Sequence, residues 1–134
     1  MNKPKPFAGL RHVALTIENF EACEHFYTDL MGMRVYWRPD VDNVYLTSGN
    51  DNLALHRAKA DFQPTAHQRL DHIGFILNEM NQVDDWYDYL KQEKVVMKTE
   101  PQAHRDGARS FYCKDPDGNL VQIIYLGGMQ TTRS

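Results

Sequence analysis

Leu10-Arg11-His12-Val13-Ala14-Leu15-Thr16-Ile17 is answered sixty positions later by Leu70-Asp71-His72-Ile73-Gly74-Phe75-Ile76-Leu77, with a histidine third in each run. The shift holds without a gap through the segment that follows: Phe20 meets Met80, Cys23 meets Val83, Phe26 meets Trp86, Tyr27 meets Tyr87, Leu30 meets Leu90 and Val35 meets Val95. An apolar pattern kept in register over about two dozen residues marks two copies of one supersecondary unit.

Within the first run, alternation puts His12, Ala14 and Thr16 on one face of a strand and Val13, Leu15 and Ile17 on the other. The larger apolar set is predicted to lie against a helix. Asn19 is the expected N-cap of that helix, with Glu21 and Glu24 in its first turns. Phe20, Cys23, Phe26, Tyr27, Leu30 and Met31 follow helical spacing and Gly32 supplies the stop. Strands are predicted over 34–38, 43–47 and 52–58, with turns at Pro39-Asp40 and Ser48-Gly49-Asn50-Asp51. Residues 59–69, which include Pro64, read as a linker. The second copy repeats the order: a strand over 70–77, a helix over 80–90 that buries Trp86 and Tyr87, and strands over 95–98, 109–114 and 119–126. Asp115-Pro116-Asp117-Gly118 is a strong hairpin signal between the last two. The expectation is one α+β domain over 1–134. Two βαβββ repeats, 9–58 and 70–126, form a curved mixed-sheet cup with the helices outside.

A chain of 134 residues with 42% hydrophobic and 25% charged positions is one globular domain. No run approaches the ~20 apolar residues of a membrane span, and the first six residues lack an apolar signal core. A cytoplasmic location without a membrane partner is expected. The formal charge of −3 comes from mixed signs without a Lys/Arg cluster, so nucleic acid is not an expected partner. Cys23 and Cys113 form neither a disulfide framework nor a metal-ligand spacing, and Cys23 is expected to be buried. Residues 1–8 are expected to form a loose arm, and the tail from Gly127 to fray.

Two such units would leave one face of each sheet free, and a pair of half-cups suits a small-molecule ligand. An approximate two-fold would set His12 and His72 opposite each other across the cup. The βαβββ repeat, the Leu-x-His-[Val/Ile] openings and the closing Asp115-Pro116-Asp117-Gly118-Asn119 resemble the glyoxalase I / bleomycin-resistance / extradiol-dioxygenase superfamily, the vicinal oxygen chelate proteins, over residues 9 to 126. The resemblance implies a metal site that draws a residue from the first and last strands of each unit. Position by position it implies His12 and His72 from the first strands, Gln122 from the second unit's last strand, where metal-binding members carry Glu, and His56 from the first unit's last strand. The register of His56 has two solutions. If Leu55 and His56 match Val121 and Gln122 the shift is 66; if Asn52 and Leu53 match Asn119 and Leu120 it is 67 and His56 falls beside Ile123. Alternation places His56 opposite Leu53 and Leu55, which favours an orientation into the site.

Neutral imidazoles with an oxygen ligand suit a divalent Zn, Fe, Mn, Ni or Co ion. An amide binds such ions less strongly than a carboxylate and cannot act as a base, so Gln122 speaks against glyoxalase I chemistry, and no general base is identified. The expected function is a small metal-dependent enzyme, lyase or dioxygenase in type, acting on a small oxygen-chelating substrate. The alternative is a metal-free small-molecule or drug-binding protein of the bleomycin-resistance type. Trp37 and Tyr45 either line the pocket or pack the core, and Arg57 and Arg109 either clamp an anionic substrate or stand as surface charges. His25, His67 and His104 have weaker cases, on the polar side of a helix, in the linker and in a loop. The loop 104–109 is either a lid hinged at Gly107 or a solvated connection. The resemblance also implies a homodimer, in which the metal site lies within one chain or is shared between two.

Overall fold

A computed structural model describes residues 3–6, 8–104 and 107–127. Met1, Asn2 and Phe7 of the expected arm, Arg105 and Asp106 of the loop read as a lid or a solvated connection, and the tail beyond Gly127 lie outside the described residues. The first copy contains β1 (His12–Ile17), α1 (Phe20–His25) continued by a π-helical stretch (Phe26–Leu30), β2 (Arg34–Asp40), β3 (Asn43–Thr47) and β4 (Asn52–Arg57). The second contains β5 (Ile73–Leu77), α2 (Gln82–Gln92), β6 (Val96–Met97), β7 (Gln102–Ala103), β8 (Arg109–Lys114) and β9 (Leu120–Tyr125).

Each copy makes its own open mixed sheet. The first has the order β1-β4-β3-β2 and the second β5-β9-β8-β6, with β7 also on β8. The opening and closing strands of each copy, β1 with β4 and β5 with β9, are parallel neighbours. The fourth strand of the second sheet is broken in two. Lys98 N and Thr99 N both donate to Tyr112 O, at 2.8 and 3.2 Å, which is a bulge, and Pro101 brings no N–H to extend the ladder. In the first sheet β2 runs through Pro39 to Asp40, beyond the turn expected at Pro39-Asp40. An edge strand tolerates a proline. The chain reverses instead at Val41 and Asp42, where Asp40 Oδ1 accepts Asp42 N at 2.8 Å and Asn43 Nδ2 at 2.9 Å.

Alternation sends Leu15, Ile17, Val44, Leu46, Leu53 and Leu55 to the helix side of the first sheet, and Phe111, Cys113, Val121 and Ile123 to that of the second. Phe20, Cys23, Phe26 and Tyr27 meet them from the first helix, and Val83 and Leu90 from α2. One continuous core therefore joins the two copies, and each large side chain buried in it contributes roughly 1.5–3 kcal/mol. Burial pushes the thiols of Cys23 and Cys113 up to about 12.

Asn19 precedes α1 as expected, but its side chain accepts no bond from the helix. The cap comes from the other copy. Asp117 in the β8–β9 turn accepts Glu18 N at 3.1 Å, Asn19 N at 2.8 Å and Asn19 Nδ2 at 2.9 Å. Beside it the buried Asp115 carboxylate accepts the Tyr27 hydroxyl at 2.7 Å, and Asp117 N, Asn119 N and Asn119 Nδ2 at 2.9 Å each. Burial first, and then the Asp115 charge, raise the Tyr27 phenol well above its ordinary range. Pro116 and Gly118 shape the hairpin, and its aspartates bolt the second sheet to the first helix.

Candidate functional site

The face of each sheet turned away from the helices carries the polar side chains that alternation assigned to it. On the first sheet His12 pairs with Asn52, Ala14 with Ala54 and Thr16 with His56. Across the next ladder Tyr45 stands opposite Ala54 and Asn43 opposite His56. Trp37 pairs with Tyr45 on the edge strand, and the two rings stack with centroids 5.2 Å apart. Tyr45 in turn meets the His56 ring edge-on at 6.0 Å. Trp37 and Tyr45 are thus open-face residues rather than core, and Trp37 is 56% exposed.

On the second sheet Gly74 pairs with Gln122 and Gln122 with Tyr112. His72 stands immediately before β5, its ring edge-on to Tyr112 with centroids 5.2 Å apart. Gln122 is 9% exposed and donates through Nε2 to Ser110 Oγ at 3.1 Å. Ser110 Oγ lies 2.8 Å from His104 Nε2. A Cβ built on Gly74 would come 3.8 Å from Gln122 Oε1, so the amide oxygen sits over the one strand position that has no side chain.

The pairing settles the register of His56 on a third value. Ala14 and Gly74 are equivalent residues sixty apart, and their partners are Ala54 and Gln122, so the closing strands match at a shift of 68. The counterpart of Gln122 is Ala54, and that of His56 is Ile124. His56 does face away from the core. It lies four residues along the sheet from the His12 row, however, about 13 Å at ~3.3 Å per residue. It is tied to Asn43, with Nδ1 2.6 Å from Oδ1.

Arg57 and Arg109 share the parity of the core residues and lie on the helix side. Arg57 sits over the Phe20 ring at 4.5 Å, with Glu21, Asp42 and the Val41 carbonyl around its guanidinium. These bonds, Glu21 foremost, raise its pKa, and they hold the Glu21 carboxyl below its ordinary range. Arg109 clasps Asp84 of α2 through Nε at 3.0 Å and Nη2 at 2.8 Å. The structure therefore gathers neither guanidinium with Trp37 and Tyr45.

The donor chemistry of three residues fits a divalent ion. His12 Nδ1 is 2.8 Å from Asn52 Oδ1 and His72 Nδ1 is 2.7 Å from Asp71 Oδ2. An oxygen at Nδ1 fixes the proton there and leaves the Nε2 lone pair free for a metal. With Nε2 of Gln122 spent on Ser110, its free end is the oxygen. The donors come in two parts, His12 on one sheet and His72 with Gln122 on the other. Among the described residues no three of His, Cys, Asp or Glu converge on a metal-sized gap. Sequence reasoning missed the residues that set these orientations, Asn52, Asp71 and Ser110. Repeat matching does not find them, because the first copy supports its histidine from β4 and the second from the residue just before.

The family model described as Glyoxalase/Bleomycin resistance protein/Dioxygenase superfamily matches residues 9–123. Among curated proteins, the chain is 26% identical to metallothiol transferase FosB of Staphylococcus haemolyticus over 116 residues, covering 86% of this chain and 81% of that one. Among solved structures it resembles lactoylglutathione lyase from Agrobacterium tumefaciens, with a TM-score of 0.76 at 22% identity over 93% of this chain and all of that one. A glyoxalase/bleomycin resistance protein/dioxygenase from Alicyclobacillus acidocaldarius gives a TM-score of 0.68 at 21% identity, over 90% of this chain and 92% of that one. These structural likenesses are likenesses of fold.

Proposed function

Because the chain belongs to the glyoxalase/bleomycin resistance protein/dioxygenase superfamily, we propose that it is a divalent-metal-dependent enzyme acting on a small anionic substrate with neighbouring oxygens. In this reading His12 Nε2, His72 Nε2 and Gln122 Oε1 are the protein's donors. The observation that carries it is the orientation of those atoms: each has its other polar end held by a neighbour. A divalent ion held by three neutral donors keeps its full charge and would draw negative charge off the oxygens of an anionic substrate.

The neutral amide also bears on the reaction. Taking a proton from carbon, as in lyase or isomerase chemistry, needs a base that Gln122 cannot be. A thiol nucleophile is partly ionised near neutral pH and needs less help. We therefore favour thiol transfer, the activity named for the staphylococcal relatives. In it the thiol gives up its proton, its sulfur bonds to an electrophilic centre of the substrate, and the group displaced from that centre takes up the proton. Trp37 and Tyr45 offer an aromatic wall for the substrate's apolar part.

Because His12 belongs to one sheet and His72 with Gln122 to the other, we place the complete site between two copies of the chain. The exposed edge strand β2, with Val35, Tyr36 and Trp37 open to solvent, is the surface that pairing would cover. Calorimetric titration of metal-stripped protein with Mn2+, Ni2+ and Zn2+ tests the reading. His12→Ala, His72→Ala and Gln122→Ala should each weaken binding about tenfold or more. An equal mixture of the His12→Ala and His72→Ala chains should recover about a quarter of the tight sites, those in mixed dimers. No recovery returns the site to a single chain. Unchanged affinity in all three variants overturns the metal reading and favours a metal-free binding protein.

A further inference from the structure

We propose that Ser110 and His104 are positioning residues that fix which end of the Gln122 amide faces the metal. This rests on Gln122 being a metal donor and goes beyond it. A primary amide has an acceptor end and a donor end of nearly the same shape, and a half-turn exchanges them. Facing a cation with its NH2 group, Gln122 is no ligand at all. A carboxylate has no such difficulty, because its two oxygens are equivalent. A site that uses glutamine therefore needs a device that a glutamate site does without.

The second sheet contains one. Ser110 is 2% exposed, on the strand beside Gln122 and on the same face. Its oxygen accepts the amide N–H at 3.1 Å. Its single proton then needs an acceptor, and among the described residues His104 Nε2 stands at 2.8 Å. The chain of donation runs from Gln122 Nε2 to Ser110 Oγ and from Ser110 to His104 Nε2. With Ser110 donating to it, His104 is the tautomer that carries its proton on Nδ1. The amide oxygen is left over Gly74. Ser110 is too buried to be a nucleophile, and its two contacts orient Gln122 and His104.

The first copy has no such chain. The position equivalent to Gln122 is Ala54 and the one equivalent to Ser110 is Asn43, which bonds His56 instead. The arrangement is thus not a general property of the fold. It occurs where a neutral amide must act as a one-sided ligand.

Two measurements test this. The first uses Co2+ as the probe, with metal-stripped protein titrated by calorimetry and visible absorption. Ser110→Ala should weaken Co2+ binding about tenfold, in the range for partners of a ligand. In the Gln122→Glu background the same change should cost no more than about twofold, because a carboxylate has no wrong end. If Gln122→Ala leaves Co2+ affinity unchanged, the metal reading fails and the proposal goes with it. If Gln122→Ala weakens binding while Ser110→Ala does not, or if Ser110→Ala costs as much in the Gln122→Glu background as in wild type, the proposal alone is overturned. The second needs no variant: the ring-nitrogen chemical shifts of neutral His104 should show a proton on Nδ1, and a proton on Nε2 overturns the relay.

Discussion

Replacing Tyr27 with Phe removes one oxygen from the joint between the two copies. The Tyr27 ring is wholly buried, 4.8 Å from Phe26 and 6.2 Å from Phe75 between centroids, and Phe keeps those contacts. What is lost is the 2.7 Å bond from the hydroxyl to Asp115 Oδ2. Asn119 Nδ2 still reaches that oxygen, and Asp117 N and Asn119 N still hold the other, so the carboxylate is not orphaned. A buried hydrogen bond to a charged acceptor contributes about 1.5–3 kcal/mol, and with three donors remaining we expect a loss of about 2 kcal/mol. For a domain of this length that lowers the melting temperature by roughly 6–8 °C. The effect carries a pH signature. The native phenol's pKa is raised above its ordinary value near 10, so its contribution is complete below that value and is lost as pH rises through the native one. Urea unfolding of wild type should therefore weaken above about pH 10 more steeply than that of Tyr27→Phe. A variant within about 0.5 kcal/mol of wild type at neutral pH would refute the claim that this bond joins the copies.

Removing the helix cap with Asp117→Ala should cost about 1–2 kcal/mol, read by the same unfolding assay, because Glu18 N and Asn19 N lose their shared acceptor. The Arg109 guanidinium holds the Asp84 carboxyl below its ordinary value, so this pair stabilises above about pH 4 and its contribution fades as pH falls through the lowered value. Both side chains are partly exposed, so Asp84→Asn should cost only a few tenths of a kcal/mol at pH 7, with a flatter acid limb in a melting series. Cys23 and Cys113, buried and with thiols pushed up to about 12, should resist alkylation at pH 8 in the native protein and react fully in denaturant, as mass spectrometry would show. His56→Ala should leave divalent-metal affinity unchanged in titration, whereas His12→Ala should not.

The sixty-residue echo was enough to predict both units, their helices and the face on which His12 and His72 lie, because period-2 and period-3.6 patterns depend on local sequence. What it left open was set by contacts between distant segments. Asn19 reads as a cap, yet Asp117, 98 residues away, does the capping. Arg57 and Arg109 read either as clamps for an anionic substrate or as surface charges, and only the packing of α1 and α2 shows that Glu21 and Asp84 occupy them. The matching of His56 failed at both trial shifts because the copies differ in length after their first strands, and no alternation pattern counts loop residues. Gln122 was singled out by the family resemblance, which carries a residue over from the last strand, but Ser110 was not, since a serine in a strand carries no signal until its neighbour across the ladder is known.

That difference in length has a consequence for how one half of the molecule came to differ from the other. The copies run 60 apart on β1 and β5, 67 apart at Tyr45 and Tyr112, and 68 apart at Ala54 and Gln122. The growth falls in the segment before β8, which carries His104, and in the β8–β9 turn, which carries Asp117. Duplication alone would make two interchangeable halves. The eight residues by which the second copy is longer, the difference between shifts of 68 and 60, fall where Gln122 gains its neighbours and where the second copy clasps the first. A chain built from two first copies in tandem would therefore keep its apolar faces but lack both the Asp117 clasp and the Ser110–His104 pair.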